Sequence, residues 1–329
     1  MIKVLFIIQD ERLPSSRVRV LNLLPELKRY GISADVVQYP KSLIEKIRLI
    51  KRCHQFDITY LQKKLLSPLD AALLRKYARK LIFDFDDAIY YKHDKQEALE
   101  SKSRQLKFRY LTQKVDLVVA GNRILADYVS RFNRNVVVIP SAVETRNIPL
   151  KDHQSQSDKT VIGWVGGEVN LPYLQLLASA VLPRLSLDHR IQVRILSSKS
   201  IDIPSVDVEF IPWRIETQDS EIALFDIGLM PLPYTKYTEG KCGYKALQYM
   251  AAEVPPVCSD VGINRDIVKD GKEGFVVSSI DMFYGAIKTL IEDRALRQNM
   301  GAKARKKVEN HFSVQVIGKR LAALLIGSL

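Results

Sequence analysis

The stretch DIGLMPLPYTKYTEGKCGYKALQYMAAEVPPVCSDVGIN, residues 226–264, contains one strand–helix–strand unit. An apolar run at residues 226–231 predicts a buried strand, and a long polar loop separates it from a helix over residues 244–252. Residues 255–259 are short and apolar, which is typical of a second strand. Because two strands joined through a helix usually lie parallel, this stretch predicts a parallel sheet.

The rest of the chain repeats this alternation on both sides of a polar segment, residues 145–158, which we interpret as a linker. Helical periodicity occurs between the apolar runs, for example at residues 16–30 and 96–114. The further predicted strands are residues 2–8, 34–39, 57–61, 81–84, 116–120, 135–139, 161–165, 192–197, 206–211 and 274–277. The pattern predicts an α/β protein with Rossmann-like, doubly wound parallel sheets.

The length agrees with two such domains, because 329 residues are about twice a typical domain. We predict one domain over residues 1–150 and another over 151–329, with the last helix, 311–329, packing back on the first. In open α/β sheets, ligands bind beyond the carboxyl ends of the strands. Two domains that face each other would therefore enclose a cleft for two substrates.

The composition is that of a globular protein, with 47% hydrophobic and 26% charged residues. It excludes a collagen, a disordered chain and a disulfide scaffold, and no apolar run approaches the ~18 residues that span a bilayer. The three cysteines, Cys53, Cys242 and Cys258, are an odd number at wide spacing. This pattern favours a reducing, cytoplasmic location and no zinc site.

Positive charge is concentrated in residues 1–150, which carry 28 Lys+Arg against 16 Asp+Glu. Within them, residues 41–52 (KSLIEKIRLIKR) predict an amphipathic helix with five basic residues among its leucines and isoleucines. We predict from this helix a peripheral association with an anionic membrane surface. Nucleic acid is not a predicted partner because no helix-turn-helix or RNP-like motif is present, and a solvated basic face is the alternative.

A first candidate site is Ser15-Ser16-Arg17-Val18-Arg19, which follows the first strand and opens a helix. Free amides and the positive dipole at a helix N-terminus bind anions, and arginine adds a planar set of donors. Ser16, Arg17 and Arg19 are therefore candidates for a phosphate or acceptor site. The alternative is an ordinary serine N-cap with surface arginines. The Gly-x-Gly-x-x-Gly pattern of dinucleotide-binding dehydrogenases is absent.

A second candidate is the acidic cluster Asp84, Asp86 and Asp87 at the end of a predicted strand. Carboxylates this close together need a compensating partner, such as a metal, a sugar hydroxyl or an arginine. Asp84 and Asp86 have the spacing to hold Mg²⁺ against a diphosphate, or they bind sugar hydroxyls or act as a base. A helix-capping cluster with one ion pair is the alternative.

Glycines mark two further turns. Gly166 and Gly167 follow the strand at residues 161–165, and Gly240 and Gly243 precede the helix at residues 244–252. Glycine permits close approach of the backbone to a phosphate, so all four are candidates for donor contacts. Plain tight turns are the alternative.

Two lysines accompany the second pair of glycines. Lys241 and Lys245 are four residues apart, which would place both on one face of a helix. Cations at a helix N-terminus oppose the dipole, and a bound diphosphate would reverse that penalty. Gln248, one turn further, is a candidate for a ribose contact, whereas solvated surface lysines are the alternative.

These residues carry a family resemblance. The stretch 226–264, with PSSRVRV, FDITYLQKK, LIFDFDDAIY and VVAGNRILADYV followed by VVVIPSAVE, resembles the retaining GT-B glycosyltransferases of family 4 and their group 1 C-terminal domain. The resemblance covers nearly the whole chain. It implies a nucleotide-sugar donor on the C-terminal domain, an acceptor on the N-terminal domain and no need for a metal. It also implies that Lys241 and Lys245 lie beside the donor diphosphate.

The sequence departs from the family at its paired glutamates, which are separated by seven residues. Gly240 occupies the place of the first and Gln248 that of the second, while Glu239 lies one residue away. Glu253 replaces a glycine that often follows Met-Ala-Ala in the family. The resemblance makes the acidic cluster a cleft element rather than a metal site, and Trp213 a candidate neighbour of the base or a core residue.

We therefore predict a retaining, metal-independent glycosyltransferase without a further cofactor. Lys241, Lys245 and Arg17 would stabilise the leaving diphosphate of a UDP- or GDP-sugar. The predicted acceptor is a glycan or lipid-linked saccharide of envelope polysaccharide or glycoconjugate synthesis, used in the cytoplasm at the inner face of the membrane. The alternatives are a nucleotide-sugar epimerase or hydrolase and a basic nucleic-acid-binding protein.

Overall fold

The structure is a computed structural model that describes residues 1–93, 99–153 and 158–329. It divides into two compact units. Unit 1 consists of Met1–Ala142, Thr235–Cys242 and Phe312–Leu329, and unit 2 of Val143–Tyr234 and Gly243–His311. Part of the predicted linker, residues 154–157, and part of the predicted helix 96–114, residues 96–98, lie outside the described residues.

The elements alternate along the chain as predicted. The strands are β1 (Ile2–Ile8), β2 (Ile32–Gln38), β3 (Ile58–Gln62), β4 (Lys80–Phe85), β5 (Leu117–Ala120), β6 (Val136–Val138), β7 (Thr160–Val165), β8 (Ile191–Ser197), β9 (Asp207–Pro212), β10 (Ile227–Met230), β11 (Pro256–Ser259) and β12 (Phe275–Val277). The helices are α1 (Pro14–Arg19), α2 (Leu24–Arg29), α3 (Leu43–Arg52), α4 (Pro68–Tyr77), α5 (Lys102–Lys114), α6 (Arg123–Val129), α7 (Leu171–Ala178), α8 (Leu182–Asp188), α9 (Gln218–Ile222), α10 (Tyr244–Ala251), α11 (Asn264–Ile267), α12 (Ile280–Glu292), α13 (Arg294–His311) and α14 (Val314–Gly327).

Unit 1 is built on a parallel sheet whose described strands lie in the order β2-β1-β3-β4-β5-β6. Alternate residues of β1 enter opposite cores: Leu5 and Ile7 pack with α3–α6, whereas Val4 and Phe6 pack with α2 and α14. Because both faces are covered, residues 4–8 of β1 are a continuous apolar run rather than an alternating one.

Unit 2 has a second parallel sheet, with its described strands in the order β12-β11-β10-β7-β8-β9. Helix α10 packs closely on β10 because Gly228 has no side chain: a Cβ there would lie 2.4 Å from the Tyr249 ring. The Tyr249 hydroxyl donates to the carbonyl of Leu229 at 3.0 Å and accepts from the amide of Val165 at 3.1 Å. These contacts fix α10 beside the carboxyl ends of β7 and β10.

The predicted fold class is confirmed by these two doubly wound α/β sheets. The units differ from the predicted domains, residues 1–150 and 151–329, because unit 1 also contains Thr235–Cys242. Asn122 holds this segment in unit 1: its Nδ2 donates to the Gly240 carbonyl at 3.0 Å. A contact between residues so distant in sequence leaves no pattern in the local sequence.

The last helix, α14, lies in unit 1 and packs on α2. Gly318 permits this approach, because a Cβ there would lie 2.6 Å from the Cβ of Glu26. The predicted helix over residues 16–30 is divided into α1 and α2 because Val20 leaves helical geometry, with φ −130°. Among the described residues, none of the helices has the length and apolar character needed to cross a bilayer.

Candidate functional site

In unit 2, the structure brings together two of the predicted donor-site residues, Gly166 and Lys245. Lys245 lies in the first turn of α10, and its Nζ is 4.3 Å from the centroid of the Trp164 ring. A Cβ at Gly166 would lie 2.7 Å from this Nζ and 2.7 Å from the Trp164 ring. Glycine at this position therefore allows the ammonium to lie against the end of β7, where a cation–π contact stabilises it. Gly167 follows, with open space where a Cβ would be.

Gly243 immediately precedes α10 and adopts the left-handed conformation, with φ 63°. A Cβ would be strained there and would lie 2.2 Å from Ile267 Cδ1. Because glycine has no side chain with which to cap a helix, it cannot satisfy the first amides of α10 as a serine or aspartate would. The positive end of the α10 dipole and the Lys245 ammonium lie together, and this arrangement favours an anion.

The predicted helical pairing of Lys241 with Lys245 is wrong. Lys241 follows a 3-10 turn, Thr238–Gly240, has extended geometry with φ −71° and ψ 143°, and belongs to unit 1. The four-residue spacing does not place Lys241 and Lys245 on one helix face, because the left-handed Gly243 lies between them.

The prediction that Gly240 is a donor-site glycine at the start of a helix is also corrected. A Cβ at this position would lie 2.7 Å from the Cβ of Ala88, so Gly240 is required for packing inside unit 1. Glu239, the nearby glutamate, is half-buried in the same 3-10 turn.

Gln248 lies near Trp213, the other predicted nucleoside neighbour. Gln248 is almost fully buried, and its Nε2 donates to Gln218 Oε1 at 3.4 Å. The same Gln218 oxygen accepts from Trp213 Nε1 at 3.2 Å. Gln218 links these two residues and was not identified from the sequence, because a glutamine in a short helix has no distinctive pattern.

In unit 1, Arg19 and Asp84 form a buried ion pair rather than part of an open acceptor site. The Arg19 guanidinium donates to both carboxylate oxygens of Asp84 and to the Ile139 carbonyl, and the Tyr60 hydroxyl donates to Asp84 at 2.9 Å. Burial opposes the charge on Arg19, but the attraction of Asp84 outweighs it and raises the pKa of Arg19. Both side chains are engaged inside unit 1, which corrects the prediction that they contact an acceptor.

The geometry predicted for the serines at the start of α1 is also corrected. The helix begins at Pro14, after Leu13, so the serines lie within it and do not cap it. Ser16 is fully buried, and its hydroxyl donates to Gln62 Oε1 at 3.3 Å. Arg17 is half-buried, and its Nη1 donates to the carbonyl of Arg12 at 2.6 Å.

Asp86 and Asp87 share one cation, the ammonium of Lys63, which lies 2.9 Å from Asp86 Oδ1 and 2.5 Å from Asp87 Oδ2. The second predicted lysine, Lys241, lies 4.0 Å from Asp87 Oδ1 and 4.9 Å from the centroid of the Tyr237 ring. The acidic cluster is therefore compensated by cations of unit 1.

Burial and charge move the pKa values of these groups in different directions. Burial raises the pKa of Asp86, whereas burial at Asp87 is outweighed by Lys63 and Lys241, which lower its pKa. Burial disfavours the charged form of Lys63, but the two carboxylates more than offset it and raise its pKa. The surroundings therefore move the pKa values of these two neighbouring carboxyls apart.

Lys63 was missed as a site residue although it lies directly after β3, beside β4. The available indication was topological: carboxyl ends of neighbouring parallel strands meet at one edge, so a lysine after β3 is near carboxylates after β4. Within the described part of the chain, no group of three or more His, Cys, Asp or Glu side chains is placed to hold a metal ion.

Comparison with known proteins places this geometry in context. Residues 214–307, which include α10 and Lys245, match the family model described as glycosyl transferases group 1. The capsular polysaccharide biosynthesis glycosyltransferase CapM of Staphylococcus aureus is 27% identical over 193 residues. The match covers 55% of this chain and 50% of CapM, so the chain aligns with about half the length of this curated relative.

The whole chain resembles solved GT-B structures. Sucrose-phosphate synthase from Thermosynechococcus elongatus superposes with a TM-score of 0.80 at 14% identity, covering 99% of both chains. HepE from Anabaena, solved with UDP and glucose, superposes with a TM-score of 0.75 at 13% identity, covering 99% of this chain and 100% of HepE. These matches confirm the resemblance to group 1 glycosyltransferases and the GT-B type of fold.

Proposed function

We propose, from the group 1 glycosyltransferase match of residues 214–307, that the protein transfers a sugar from a nucleotide-sugar donor to a saccharide acceptor. One observation carries the proposal: the Lys245 ammonium lies against Gly166 at the first turn of α10. A cation at a helix N-terminus opposes the dipole and costs stability, and a diphosphate at this place would offset that cost. The matched family supports the choice of a nucleotide sugar over other diphosphates.

The chemistry that this site would perform is stabilisation of a leaving diphosphate. When the bond between the sugar carbon and the phosphate oxygen breaks, negative charge develops on the diphosphate. The Lys245 ammonium and the amides at the start of α10 are already oriented, so they stabilise that charge without reorganising. We propose that Lys241 and Arg17 contribute further cations and that the reaction retains configuration without a metal or other cofactor.

The nucleoside would lie near Trp213 and Gln248. Their shared partner Gln218 fixes an aromatic ring and an amide in one place, which suits a base and a ribose hydroxyl. UDP is bound in the solved HepE structure, which supports a UDP-sugar as the first donor to test and a GDP-sugar as the second.

The acceptor is proposed to be a glycan or lipid-linked saccharide of envelope polysaccharide synthesis, supported by the capsular role named for CapM. Asp86 and Asp87 remain the candidates for acceptor hydroxyls, because they are partly exposed at 12% and 24%. We place the reaction in the cytoplasm, at the inner face of the membrane, where a lipid-linked acceptor would be anchored. No nucleic-acid partner is proposed.

A thermal-shift series with UDP-glucose, GDP-mannose and ADP-glucose tests donor binding, since a ligand that binds the native state raises its melting temperature. The donor with the largest shift is then used to measure release of its nucleoside diphosphate. Lys245→Ala is expected to lower turnover by about 10²–10³-fold. Exposed Lys303 of unit 2 provides the control Lys303→Ala, which should match the wild type.

Separate Lys241→Ala and Arg17→Ala variants test the two further cations. Each variant should lower turnover while its melting temperature stays close to that of the wild type. Turnover should persist in excess EDTA if no metal takes part. Wild-type turnover by Lys245→Ala would contradict the proposed donor site, and loss of activity on chelation would contradict metal independence.

A further inference from the structure

Three consecutive helices, α3, α4 and α5, cover one face of the unit 1 sheet, with α4 in contact with both of its neighbours. Their inner sides enter a single apolar core through Leu49, Ile50, Ala71, Leu74, Phe108 and Leu111. The outer sides of these helices therefore form a continuous surface, which we call the basic face.

The basic face carries a large share of the positive charge of the chain. Its three helices contain eleven Lys+Arg and two acidic residues, Glu45 and Asp70. Arg52 and Arg75 pair with Asp35 and Asp116. The other nine cations are Lys46, Arg48, Lys51, Lys76, Lys102, Arg104, Lys107, Arg109 and Lys114. Helix α5 alone has five basic residues and no acidic one.

Large apolar side chains are exposed among these cations on all three helices. Leu43 is 69% exposed and Ile44 64%, and they lie at the start of α3 with Ile47 one turn further. Leu69 on α4 is 70% exposed and Leu106 on α5 is 62% exposed. Single exposed apolar residues are common on protein surfaces, but Leu43, Ile44 and Ile47 lie within little more than one helical turn and form a group among the cations.

We propose that the basic face docks on a bilayer that contains anionic phospholipids. Lysine and arginine would contact the phosphodiester headgroups, and Leu43, Ile44 and Ile47 would enter the boundary of the acyl chains. The combination of charge and apolar groups is typical of elements that lie in the membrane interface. This docking names the surface and the lipid class for the membrane association in the proposed function, and it rests on that function.

Charge and apolar contact predict different responses to salt. Each lysine near an anionic surface strengthens binding about fivefold at low ionic strength. That contribution falls steeply as the Debye length shrinks from about 10 Å at 0.1 M salt to about 3 Å at 1 M. The apolar contribution remains at high salt, so the two parts can be measured separately.

Co-sedimentation with phosphatidylcholine vesicles, with and without one quarter phosphatidylglycerol, tests the docking. The protein should sediment with the anionic vesicles at 0.1 M NaCl and largely lose this binding at 1 M. Lys102→Gln with Lys107→Gln should weaken partition about 25-fold. The control makes the same charge change on α13 of unit 2, Lys303→Gln with Lys306→Gln, and should bind like the wild type.

A fluorescent reporter tests which side chains enter the bilayer. Ile44→Trp should show a blue shift of its emission with anionic vesicles. Leu187→Trp, at a residue of unit 2 that is 79% exposed, should show none. Leu43→Ser with Ile47→Ser keeps every charge of α3 and should still lower partition at 0.1 M NaCl.

Several outcomes would overturn the inference: equal binding to neutral vesicles, an equal loss in the α13 control, or a shift of the Leu187→Trp emission. Tight binding to duplex RNA that the Leu43→Ser, Ile47→Ser variant retains would also reject it, in favour of a polyanion site. The donor thermal shift without vesicles separates the two proposals. If one of the three nucleotide sugars binds but vesicles do not, the docking is wrong and the function stands. If vesicles bind and none of the three nucleotide sugars does, the function alone is rejected.

Discussion

At the residue scale, Lys63 has a backbone conformation that is uncommon for a side chain other than glycine, with φ 59°. Left-handed geometry costs such a residue about 1–2 kcal/mol. The amide of Lys63 donates to the carbonyl of Asp84 at 2.7 Å, and its ammonium lies between Asp86 and Asp87. The strained turn is therefore held by the charges that it brings together.

We expect Lys63→Met to destabilise the protein by about 3 kcal/mol at pH 7, because it leaves two mostly buried carboxylates without their shared cation. The loss should be smaller at pH 5. Burial already raises the pKa of Asp86, and removing Lys63 would raise it further. A carboxyl with a higher pKa in the folded than in the unfolded state takes up protons on folding, so it stabilises the fold as pH falls.

Urea unfolding at both pH values measures these differences, with Lys64→Met as the control. Lys64 is the next residue and lies over the Tyr39 ring, away from the acidic cluster. A loss in Lys63→Met that does not shrink at pH 5, or an equal loss in both variants, would contradict this account of Lys63.

At the element scale, the sequence predicts helix α10 but not the backbone geometry of the turns beside it. The sequence predicts a helix over residues 244–252, and the structure has Tyr244–Ala251. What the sequence could not show is that a left-handed residue lies at each end, Gly243 before and Glu253 after. A local pattern determines the helix, but the turns beside it decide that Lys241 points into unit 1 while Lys245 stays on the helix.

Glu253 is strained, with φ 62°, at the place where the family often has glycine. Its carboxylate lies 3.4 Å from His153 Nε2, so a substitution changes both strain and pairing. Glu253→Gly and Glu253→Ala both lose the pairing, but the glycine variant alone would be free of strain. We expect the glycine variant to be more stable than the alanine variant by about 1 kcal/mol.

Thermal unfolding of both variants beside the wild type measures this difference. Glu292 provides a control for loss of a carboxylate from an exposed site, because it pairs with Lys288 within α12. Glu292→Ala should change stability by less than about 0.5 kcal/mol. Equal stability of the two Glu253 variants would show that the left-handed backbone carries no cost there.

At the scale of the whole molecule, the sequence predicted the two parallel sheets but not the course of the chain between units. Apolar runs such as β1 and helical periods report only local burial, which is why the elements were found. The buried pairs Arg19–Asp84 and Asn122–Gly240 join residues far apart in sequence, so no local pattern reveals them. Arg19 and Gly240 were therefore predicted to contact ligands, although the structure engages them inside unit 1. Gly166 and Lys245, two predicted site residues that the structure brings together, each lie at a terminus of a predicted element, Gly166 after a strand and Lys245 in the first turn of a helix.

The last helix should contribute to unit 1 although it ends the chain. Ile317 of α14 is fully buried in the core that contains α2, whereas Ile326 on the same helix is 46% exposed. We expect Ile317→Ala to lower the free energy of unfolding by about 2–5 kcal/mol and Ile326→Ala to change it little. Urea unfolding of the two variants compares them directly, and similar values would show that α14 is dispensable to the fold.

The chain crosses between units at four places: after Ala142, Tyr234, Cys242 and His311. Neither unit can therefore be expressed by cutting the gene once. A chimaera that takes unit 2 from a relative must keep residues 235–242 and 312–329 with the native residues 1–142. Recombination at a single breakpoint would take Asn122 and the Gly240 carbonyl that it binds from different parents, so an exchange of unit 2 has to be spliced at every crossing.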